Sequence, residues 1–270
     1  MQIFVPSTHR AHIPYTVNSI VAESPFPITV VVPFNEYDEY RTKMPEKVGV
    51  ISPPPDLPMG IGHTRQWILH EASKDETDHK FIAMDDDLTF AVRRTEEPTK
   101  FREPLMGEIG AMLNTLKFLL DKYAQVSVST REGANRNTEF LIHCVRAMRV
   151  TGFRRDVLLN VGVDHRESTV MEDFEVTLNL LTHGYGNATL NSFVQNQKGS
   201  NSAGGASVYR TMEMQEAAAK KLQARYPDFV SLVRKQTKTA WNGMERTDVI
   251  VQWKKALAHG ERVYGKRVLP

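Results

Sequence analysis

The chain has few of the features that place a protein outside the cell or in a membrane. It contains one cysteine, Cys144, in 270 residues, so no intramolecular disulfide can form and a reducing compartment is expected. No apolar run approaches the roughly 20 residues of a membrane-spanning helix. The amino terminus also lacks the charged start and apolar core of a signal peptide. We therefore expect a cytoplasmic protein without a membrane partner.

The chain also has little net charge, no internal repeat and no low-complexity segment. The formal charge is +2, from 34 basic and 32 acidic residues, which argues neither for nor against nucleic acid. Residues 231–270, however, hold nine Lys or Arg and three Asp or Glu. This basic end is compatible with a polyanionic partner and equally with a solvated tail. A hydrophobic content of 41% is enough for a full core, which excludes general disorder.

Short apolar runs separated by turns or helical patterns are present instead. Four of them fall within the first 85 residues and predict buried strands, at 2–5, 28–32, 48–51 and 81–84. This alternation predicts an α/β fold with a doubly wound, mainly parallel sheet. Further patterns predict helices over 61–72 and 106–123 and strands over 140–150, 187–194 and 248–253.

The most informative stretch is KFIAMDDDL, residues 80–88. Its apolar run predicts a strand that delivers Asp85, Asp86 and Asp87 to its carboxyl end, where open α/β sheets bind ligands. Three adjacent carboxylates repel one another, so a fold that keeps them together usually has a cation to neutralise them. Oxygen ligands favour Mg²⁺ or Mn²⁺. The alternative to a metal site is a solvated acidic turn.

A second acidic pair, Glu172 and Asp173, begins a predicted helix 86 residues after Asp87. With this pair the sequence resembles the GT-A class of nucleotide-sugar glycosyltransferases, which have a metal-binding DxD motif and a later xED motif. More narrowly, it resembles the TET/JBP-associated glycosyltransferases of phages and of organisms with base J, which glycosylate hydroxymethylated pyrimidines in DNA. The narrower likeness is carried by IFVPSTHR, GIGHTRQ, MDDDL, MEDFE and GGASVYRT, spread over positions 3–211.

The resemblance implies one GT-A-like domain over residues 1–270, with a nucleotide-binding half at about 1–100 and an acceptor-side α+β half at about 101–270. It implies a nucleotide-sugar donor, such as UDP-glucose, and Mn²⁺ or Mg²⁺ bound by Asp87 and Asp85. Asp85 would also lie near the donor ribose. The residues implied to contact the donor are Pro6, Ser7, Arg10, Arg65, Asp85, Asp86, Lys198 and Arg210.

Some of these donor-side assignments have simpler alternatives. Guanidinium groups suit phosphate geometry, but surface salt bridges would also explain Arg10 and Arg65. Lys198 and Arg210 adjoin a stretch rich in Gly, Ser and Asn, residues 195–207, which predicts either a lid over the diphosphate or a plain linker. His183 follows the acidic pair but falls at a helix end, where a capping role is preferred to metal binding.

By the same resemblance, Asp173 is the predicted general base, with Glu172 as the second choice. A primary hydroxyl is a poor nucleophile until its proton is removed, which gives a carboxylate here a chemical purpose. Acids at a helix start are also favourable partners of the helix dipole without any catalytic role. If Asp173 only removes a proton on the face opposite the diphosphate, the transfer inverts the anomeric configuration.

The leading hypothesis is therefore a metal-dependent transfer of sugar to 5-hydroxymethylcytosine or 5-hydroxymethyluracil in DNA, in the cytoplasm of a phage-infected bacterium. Candidate DNA contacts are Lys235, Lys238, Arg246, Lys254, Lys255, Arg262, Lys266 and Arg267, with Trp241 and Tyr264 for stacking. Three alternatives stay open: a GT-A enzyme acting on a protein or glycan, a sugar-nucleotide nucleotidyltransferase, and a DNA-binding protein with a decayed site. The nucleotidyltransferase would normally have a Gly-rich loop after its first strand, and residues 6–10 contain no glycine.

Overall fold

The chain folds around one large mixed sheet. This computed structural model describes residues 1–58, 60–72, 74–168, 170–197, 211–236, 243–267 and 269. The strands are β1 (Gln2–Pro6), β2 (Ile28–Val31), β3 (Val48–Ile51), β4 (Lys80–Met84), β5 (Leu88–Arg93), β6 (Phe101–Arg102), β7 (Gln125–Thr130), β8 (Leu141–His143), β9 (Val150–Arg154), β10 (Asn187–Gln197), β11 (Val230–Gln236) and β12 (Glu245–Val251). The α-helices are α1 (Tyr15–Ile20), α2 (Tyr37–Lys43), α3 (Ile61–Ala72), α4 (Glu108–Leu119), α5 (Arg155–Asn160), α6 (Glu172–Thr182), α7 (Met212–Arg225) and α8 (Trp253–Tyr264).

The large sheet has ten strands in the described part of the chain. Their order is β3-β2-β1-β4-β9-β7-β10-β5-β6, with β8 beside β10. The first four strands of this order are parallel, and β9 is antiparallel to both β4 and β7. Following the pairings across the sheet, seven of these ten strands point in one direction, and β5, β8 and β9 point in the other. The predicted mainly parallel α/β sheet is confirmed.

Both faces of the sheet are buried, and this explains why its strands are apolar at consecutive positions. In β1, Ile3 and Val5 pack into a core with α1, α2 and α4, whereas Phe4 packs into a second core with α3, α5 and α6. Leu113 and Leu116 of α4 are fully buried and three residues apart, the spacing of one helix face. The sheet is therefore doubly wound, as predicted.

A third core attaches the C-terminal elements to α6. Phe174 and Leu178 of α6 pack with Leu222 of α7, Val249 of β12 and Ala256 of α8. The strands β11 and β12 form a separate antiparallel hairpin. These elements therefore rest on the helix that begins with the second acidic pair. The division into a nucleotide-binding half and an acceptor-side half stays a prediction.

Three predicted elements differ from the structure. The sequence predicts one strand over 140–150, but two strands flank a loop in which Cys144 and Arg149 have φ angles of 54° and 64°, and a positive φ interrupts a strand. The strand predicted to end at 194 continues to residue 197. The strand predicted over 248–253 ends at Val251, and Trp253 begins α8. Sequence patterns do not predict α8, because its fully buried positions are only an alanine and a glycine.

Among the residues that the structure describes, none of the helices combines the length and the hydropathy needed to span a bilayer.

Candidate active site

The three aspartates follow β4 in a turn that α1 holds in place. Thr16 Oγ1 donates a hydrogen bond to the carbonyl of Asp85 (2.5 Å) and accepts one from the amide of Leu88 (2.9 Å). The Thr16 amide donates to the carbonyl of Asp86 (3.2 Å). Because Thr16 is completely buried, these bonds fix the backbone of the turn. The carboxylates thus extend from a rigid support at the carboxyl end of the strand.

Asp86 binds the loop that follows β1. The last residue of β1, Pro6, is buried. Its carboxylate forms an ion pair with Arg10 and accepts a hydrogen bond from Ser7 Oγ (2.5 Å). Behind them, the buried Tyr40 hydroxyl lies 2.7 Å from Ser7 Oγ and accepts from the Arg10 amide (2.9 Å). Burial raises the pKa of Tyr40 to about 12 and also raises the pKa of Asp86, although Ser7 and Arg10 lower it. Asp86 therefore ties the β1 loop to the aspartate turn.

The two carboxylate oxygens of Asp87 have different surroundings. Gln197 Nε2, at the end of β10, donates to Oδ2 (3.0 Å), and Arg10 Nη1 lies 3.3 Å from the same oxygen. Oδ1 is buried and has no hydrogen-bond partner among the described residues. Leaving a buried carboxylate oxygen unsatisfied costs free energy. Oδ1 is thus available to a cation.

Arg65 of α3 joins the two acidic clusters. Its Nη2 donates to Asp85 Oδ1 (2.8 Å), and its Nη1 forms an ion pair with Glu172 in the first turn of α6. Burial raises the pKa of Asp85 to about 7; Arg65 acts against this rise, and the charges of Asp87 and Glu172 add to it. Burial also raises the pKa of Glu172. Acids 87 positions apart in sequence therefore share one guanidinium group.

Asp173 has a different partner, Arg146, in the loop between β8 and β9. Arg146 Nε and Nη2 lie 2.7 Å and 2.6 Å from Asp173 Oδ2. The guanidinium also lies 3.8 Å from the ring centre of Phe174, and that ring stacks on Trp253 with centres 5.9 Å apart. The Arg146 side chain is 34% exposed. Asp173 is therefore oriented by a cation that also faces solvent.

Unusual backbone conformations concentrate around these side chains. The described non-glycine residues with positive φ are His9, Cys144, Arg149 and Met171. His9 precedes Arg10, and Met171 precedes Glu172. The carbonyl of Arg149 accepts a hydrogen bond from the Asp85 amide (2.8 Å). Such conformations persist only where the surrounding structure imposes them, and they cluster at functional sites.

The chemistry of this site fits a divalent cation. Five carboxylates (Asp85, Asp86, Asp87, Glu172 and Asp173) face three guanidinium groups (Arg10, Arg65 and Arg146). Within the described ranges no three His, Cys, Asp or Glu side chains form a ready-made metal cluster. Mg²⁺, however, is commonly bound by one or two carboxylates when substrate phosphates complete its ligands. Asp87 Oδ1 and the nearby Asp85 carboxylate can supply that share.

The structure brings most of the predicted site residues together. Pro6, Ser7, Arg10, Arg65, Asp85, Asp86, Asp87, Glu172 and Asp173 lie in the connected set described above. Arg10 and Arg65 bind carboxylates of the site, so their contact with a diphosphate stays a prediction, as do the individual catalytic roles. Lys198 and Arg210 lie outside the described residues. His183 caps α6, with Nδ1 2.8 Å from the carbonyl oxygen of Asn179, as predicted.

Sequence reasoning missed four supporting residues, Thr16, Tyr40, Arg146 and Gln197. Their partners are 27 to 110 positions away, so no local pattern connects them to the site. Gln197 had a partial signal, because the segment QNQ places two amides on one side of the strand end.

These observations define a class of protein: a mixed α/β fold with an acidic site at the carboxyl end of a central parallel strand, where such sheets bind nucleotides. The chain belongs to the TET-Associated Glycosyltransferase family, whose sequence pattern matches residues 1–205. By family it is a glycosyltransferase, as the motifs predict. No curated protein sequence matches the chain.

Two solved structures show a distant similarity. One is GalNAc-T7 with UDP, GalNAc and Mn²⁺, at 11% identity and a TM-score of 0.42, covering 73% of this chain and 43% of that chain. The other is CMP:2-keto-3-deoxy-manno-octonic acid synthetase complexed with CTP, at 13% identity and a TM-score of 0.41. The match covers 70% of this chain and 88% of that chain. The chain thus spans less than half the length of the first. Similarities of this degree do not define the activity of this chain.

Proposed function

We propose that the protein transfers a sugar from a nucleoside diphosphate sugar, such as UDP-glucose, to the hydroxyl of a 5-hydroxymethylpyrimidine in DNA. The transfer uses Mn²⁺ or Mg²⁺ and inverts the anomeric carbon. The observation that carries this proposal is the Arg65 bridge between Asp85 and Glu172, because it brings the donor-side and acceptor-side acids into one site. The DNA acceptor is supported by the resemblance of MDDDL, MEDFE and the other motifs, and by the basic C-terminal segment.

On the donor side, Asp85 and Asp87 would hold the metal ion. A bound ion would offset the negative charge that develops on the leaving diphosphate. Arg10 and Arg65 border the same carboxylates, and their guanidinium groups suit phosphate oxygens. Ser7 and Asp86 hold the β1 loop against the aspartate turn, which keeps this side of the site in place before the donor binds.

On the acceptor side, Asp173 takes the proton of the hydroxymethyl group. The acceptor oxygen then bonds to the anomeric carbon as the bond from that carbon to the diphosphate oxygen breaks, and the electron pair leaves with the nucleoside diphosphate. Attack from the face opposite the leaving group inverts the configuration. Arg146 fixes the orientation of the Asp173 carboxylate, and orientation contributes strongly to such a step.

The test is incubation with duplex DNA, hydroxymethylated or unmodified, together with a panel of nucleotide sugars and Mn²⁺, followed by nucleoside mass spectrometry. We expect a hexose-sized mass increment on the modified base alone. Asp87→Ala abolishes the product because it removes a metal ligand. Asp173→Asn lowers the rate by about 10²- to 10⁴-fold, the usual contribution of a general base.

The matched control is Asp121→Asn, which removes a carboxylate paired with Lys80 at the opposite end of β4 and leaves activity unchanged. Activity that survives both Asp87→Ala and Asp173→Asn would contradict the site. Transfer to a protein or glycan, without transfer to DNA, would contradict the acceptor.

A further inference from the structure

Helix α8 begins beside Asp173 and runs along α6. Its first residue, Trp253, stacks on Phe174, and its last, Tyr264, stacks on His183 at the end of α6 with ring centres 5.2 Å apart. The two helices therefore point in the same direction. Gly260 allows their close contact, because a Cβ at this position would collide with the carbonyl oxygen of Leu181. With 12 residues, α8 leads about 18 Å away from the acidic site.

The exposed face of α8 is basic. Lys254, Lys255 and Arg262 are exposed. Lys255 and Arg262 are seven positions apart, close to two helical turns, and Lys254 lies about 100° around the helix axis from Lys255, so the three side chains fall within about one third of the circumference. Lys266 and Arg267 follow immediately, and Glu261 is the one carboxylate from 253 to 267. In the described part of the chain, none of these five cations forms an ion pair with a carboxylate.

Among the other residues predicted to contact DNA, Lys238 and Trp241 lie outside the described residues, and the two remaining cations differ in this respect. Lys235 and Arg246, on the β11–β12 hairpin, are both paired with Asp248, at 3.1 Å and 2.9 Å. On α8, by contrast, Lys255 donates to the carbonyl of Asp228 (2.9 Å), which leaves its charge uncompensated. The structure thus separates the basic end of the chain into a paired hairpin and an unpaired helix face.

The exposed face of α8 leads to a cavity. This cavity lies near the C-terminal end of α6, whereas the acids lie at the N-terminal end of that helix. The cavity measures about 630 Å³, and its polar and aromatic lining consists of one carboxylate, two cations, two tyrosines and an amide: Asp156, Lys266, Arg267, Tyr185, Tyr264 and Asn160. The Arg267 guanidinium lies 5.5 Å from the ring centres of both tyrosines. Cations beside aromatic faces suit a phosphate with its sugar or base against a ring. The C-terminal end of α8 therefore adjoins groups able to contact a nucleic acid strand.

The near end of α8 adjoins the loop that carries Arg146. Burial raises the pKa of the Cys144 thiol in this loop, the charge of Lys254 acts against that rise, and the charge of Glu261 adds to it. Arg146 itself is partly exposed and packs on Phe174, which Trp253 covers on its other side. A row of cations therefore leads from Asp173 along α8 to Arg267.

We infer that residues 253–267, the α8 surface, bind the phosphate backbone of duplex DNA and direct the acceptor base to Asp173. Duplex DNA carries one charge per roughly 1.7 Å of its axis with both strands counted, so the roughly 18 Å of duplex beside α8 contains about ten phosphates, of which α8 can reach those on its own side. The α8 surface lies outside the 1–205 range that the family pattern matches. This inference rests on the DNA acceptor of the proposed function and names the surface that binds it.

The test compares DNA binding by the full chain and by the triple variant Lys254→Gln/Lys255→Gln/Arg262→Gln. Fluorescence anisotropy with a hydroxymethylcytosine duplex of about 20 base pairs gives the binding constant at several salt concentrations. Each lost phosphate contact reduces the slope of log K against log salt by about 0.9. We therefore expect the slope to fall by about 2.7 and the low-salt affinity to fall more than 10-fold.

The matched control is Arg41→Gln/Lys43→Gln/Lys47→Gln, which removes three exposed cations in and after α2 and the same formal charge. Its slope should remain that of the unmodified chain. An equal loss of slope in both variants would show that net charge, and not the α8 surface, drives binding, and would overturn the inference.

Two further readouts separate this inference from the proposed function. The α8 variant and the unmodified chain should bind UDP equally. They should also release UDP from the nucleotide sugar at equal rates when no acceptor is present, because the three cations do not contact the acidic site. If the unmodified chain glycosylates hydroxymethylated DNA while the α8 variant keeps the full salt slope, the α8 surface alone is rejected. If the unmodified chain binds no DNA, the DNA acceptor is rejected with it.

Discussion

At Asp87, the contacts to one carboxylate oxygen leave the other available. Gln197 and Arg10 both contact Oδ2, and the buried Oδ1 has no partner among the described residues. Hydrogen bonds from outside a metal's ligand set orient the ligands and tune their affinity. Under the proposed function, Gln197 would therefore position the Asp87 carboxylate.

Replacing Gln197 with Ala should weaken Mn²⁺ binding in the presence of UDP about 10-fold, at the lower end of the usual effect of such partners. The physical reason is that Oδ2 of Asp87 then keeps only its 3.3 Å contact with Arg10, so the carboxylate is held less firmly in the orientation that faces the ion. Titration of Mn²⁺ followed by electron paramagnetic resonance measures the affinity directly. Asn196→Ala, at the adjacent position of β10, serves as the control and should bind Mn²⁺ normally. Equal affinities of the two variants would argue against the positioning role.

The positions of the acidic residues could be predicted from the sequence, but the residues that hold their side chains in place could not. An apolar run directly followed by Asp85, Asp86 and Asp87 identifies a strand end from local sequence alone. That Glu172 lies beside Asp85 followed only from resemblance, because no local rule links positions 87 apart. Arg146 could not be predicted at all, since its role depends on a loop whose shape is set by the positive φ of Cys144 and Arg149.

Among the elements, the short 3₁₀ turn His165–Glu167 packs closely on α3. The His165 amide donates to Gln66 Oε1 (2.9 Å), and a Cβ at Gly62 would lie 2.5 Å from the His165 carbonyl oxygen. His165 is 3% exposed. Burial, together with the charge of Arg65, lowers the pKa of His165 to about 3, although Asp164 acts against this shift. The turn therefore contains a histidine that stays neutral in the folded protein.

This neutrality predicts acid sensitivity. Below pH of about 6.5 the unfolded chain protonates His165 and the folded chain does not, so the free energy of unfolding falls by up to ~1.4 kcal/mol per pH unit, until the folded group titrates at about 3. The raised pKa values of Asp85 and Glu172 act in the opposite direction. The measurement is therefore the difference between the unmodified chain and His165→Gln in urea unfolding at pH 7.5 and 5.5. Identical pH dependence of the two proteins would refute a buried neutral imidazole.

The elements also show where sequence patterns reach their limit. The i, i+3 spacing of Leu113 and Leu116 predicts α4 because that helix covers a sheet with large side chains. Helix α8 is not predicted by the same reasoning, because its buried positions between the two terminal aromatic contacts are Ala256 and Gly260, which carry almost no hydrophobic signal. Small residues at a close helix contact are thus recognised only once the partner helix is known.

For the whole molecule, the site predicts stabilisation by the donor product and metal together. A ligand at about 100 times its Kd adds about 2.7 kcal/mol to the free energy of unfolding. In a chain of this size that corresponds to a rise in Tm of roughly 5–10 °C. Thermal unfolding with UDP and Mn²⁺ should show this rise, and EDTA should remove it.

Asp87→Ala supplies the control, because under the proposed function it removes a ligand of the ion. It should unfold at the same temperature with and without UDP and Mn²⁺. If UDP alone, in the presence of EDTA, raised the Tm by the full amount, the result would contradict joint binding of the diphosphate and the ion.

The sheet order has a consequence for how the chain is made. The strand that leads to the aspartates, β4, pairs on one side with β1 and on the other with β9, which begins 66 residues after β4 ends. At 5–20 residues per second on the ribosome, β9 follows about 3–13 s later. During that interval an apolar strand edge has no native partner, and such edges promote aggregation. Newly synthesised chains that stop before residue 150 would therefore depend on chaperones to stay in solution.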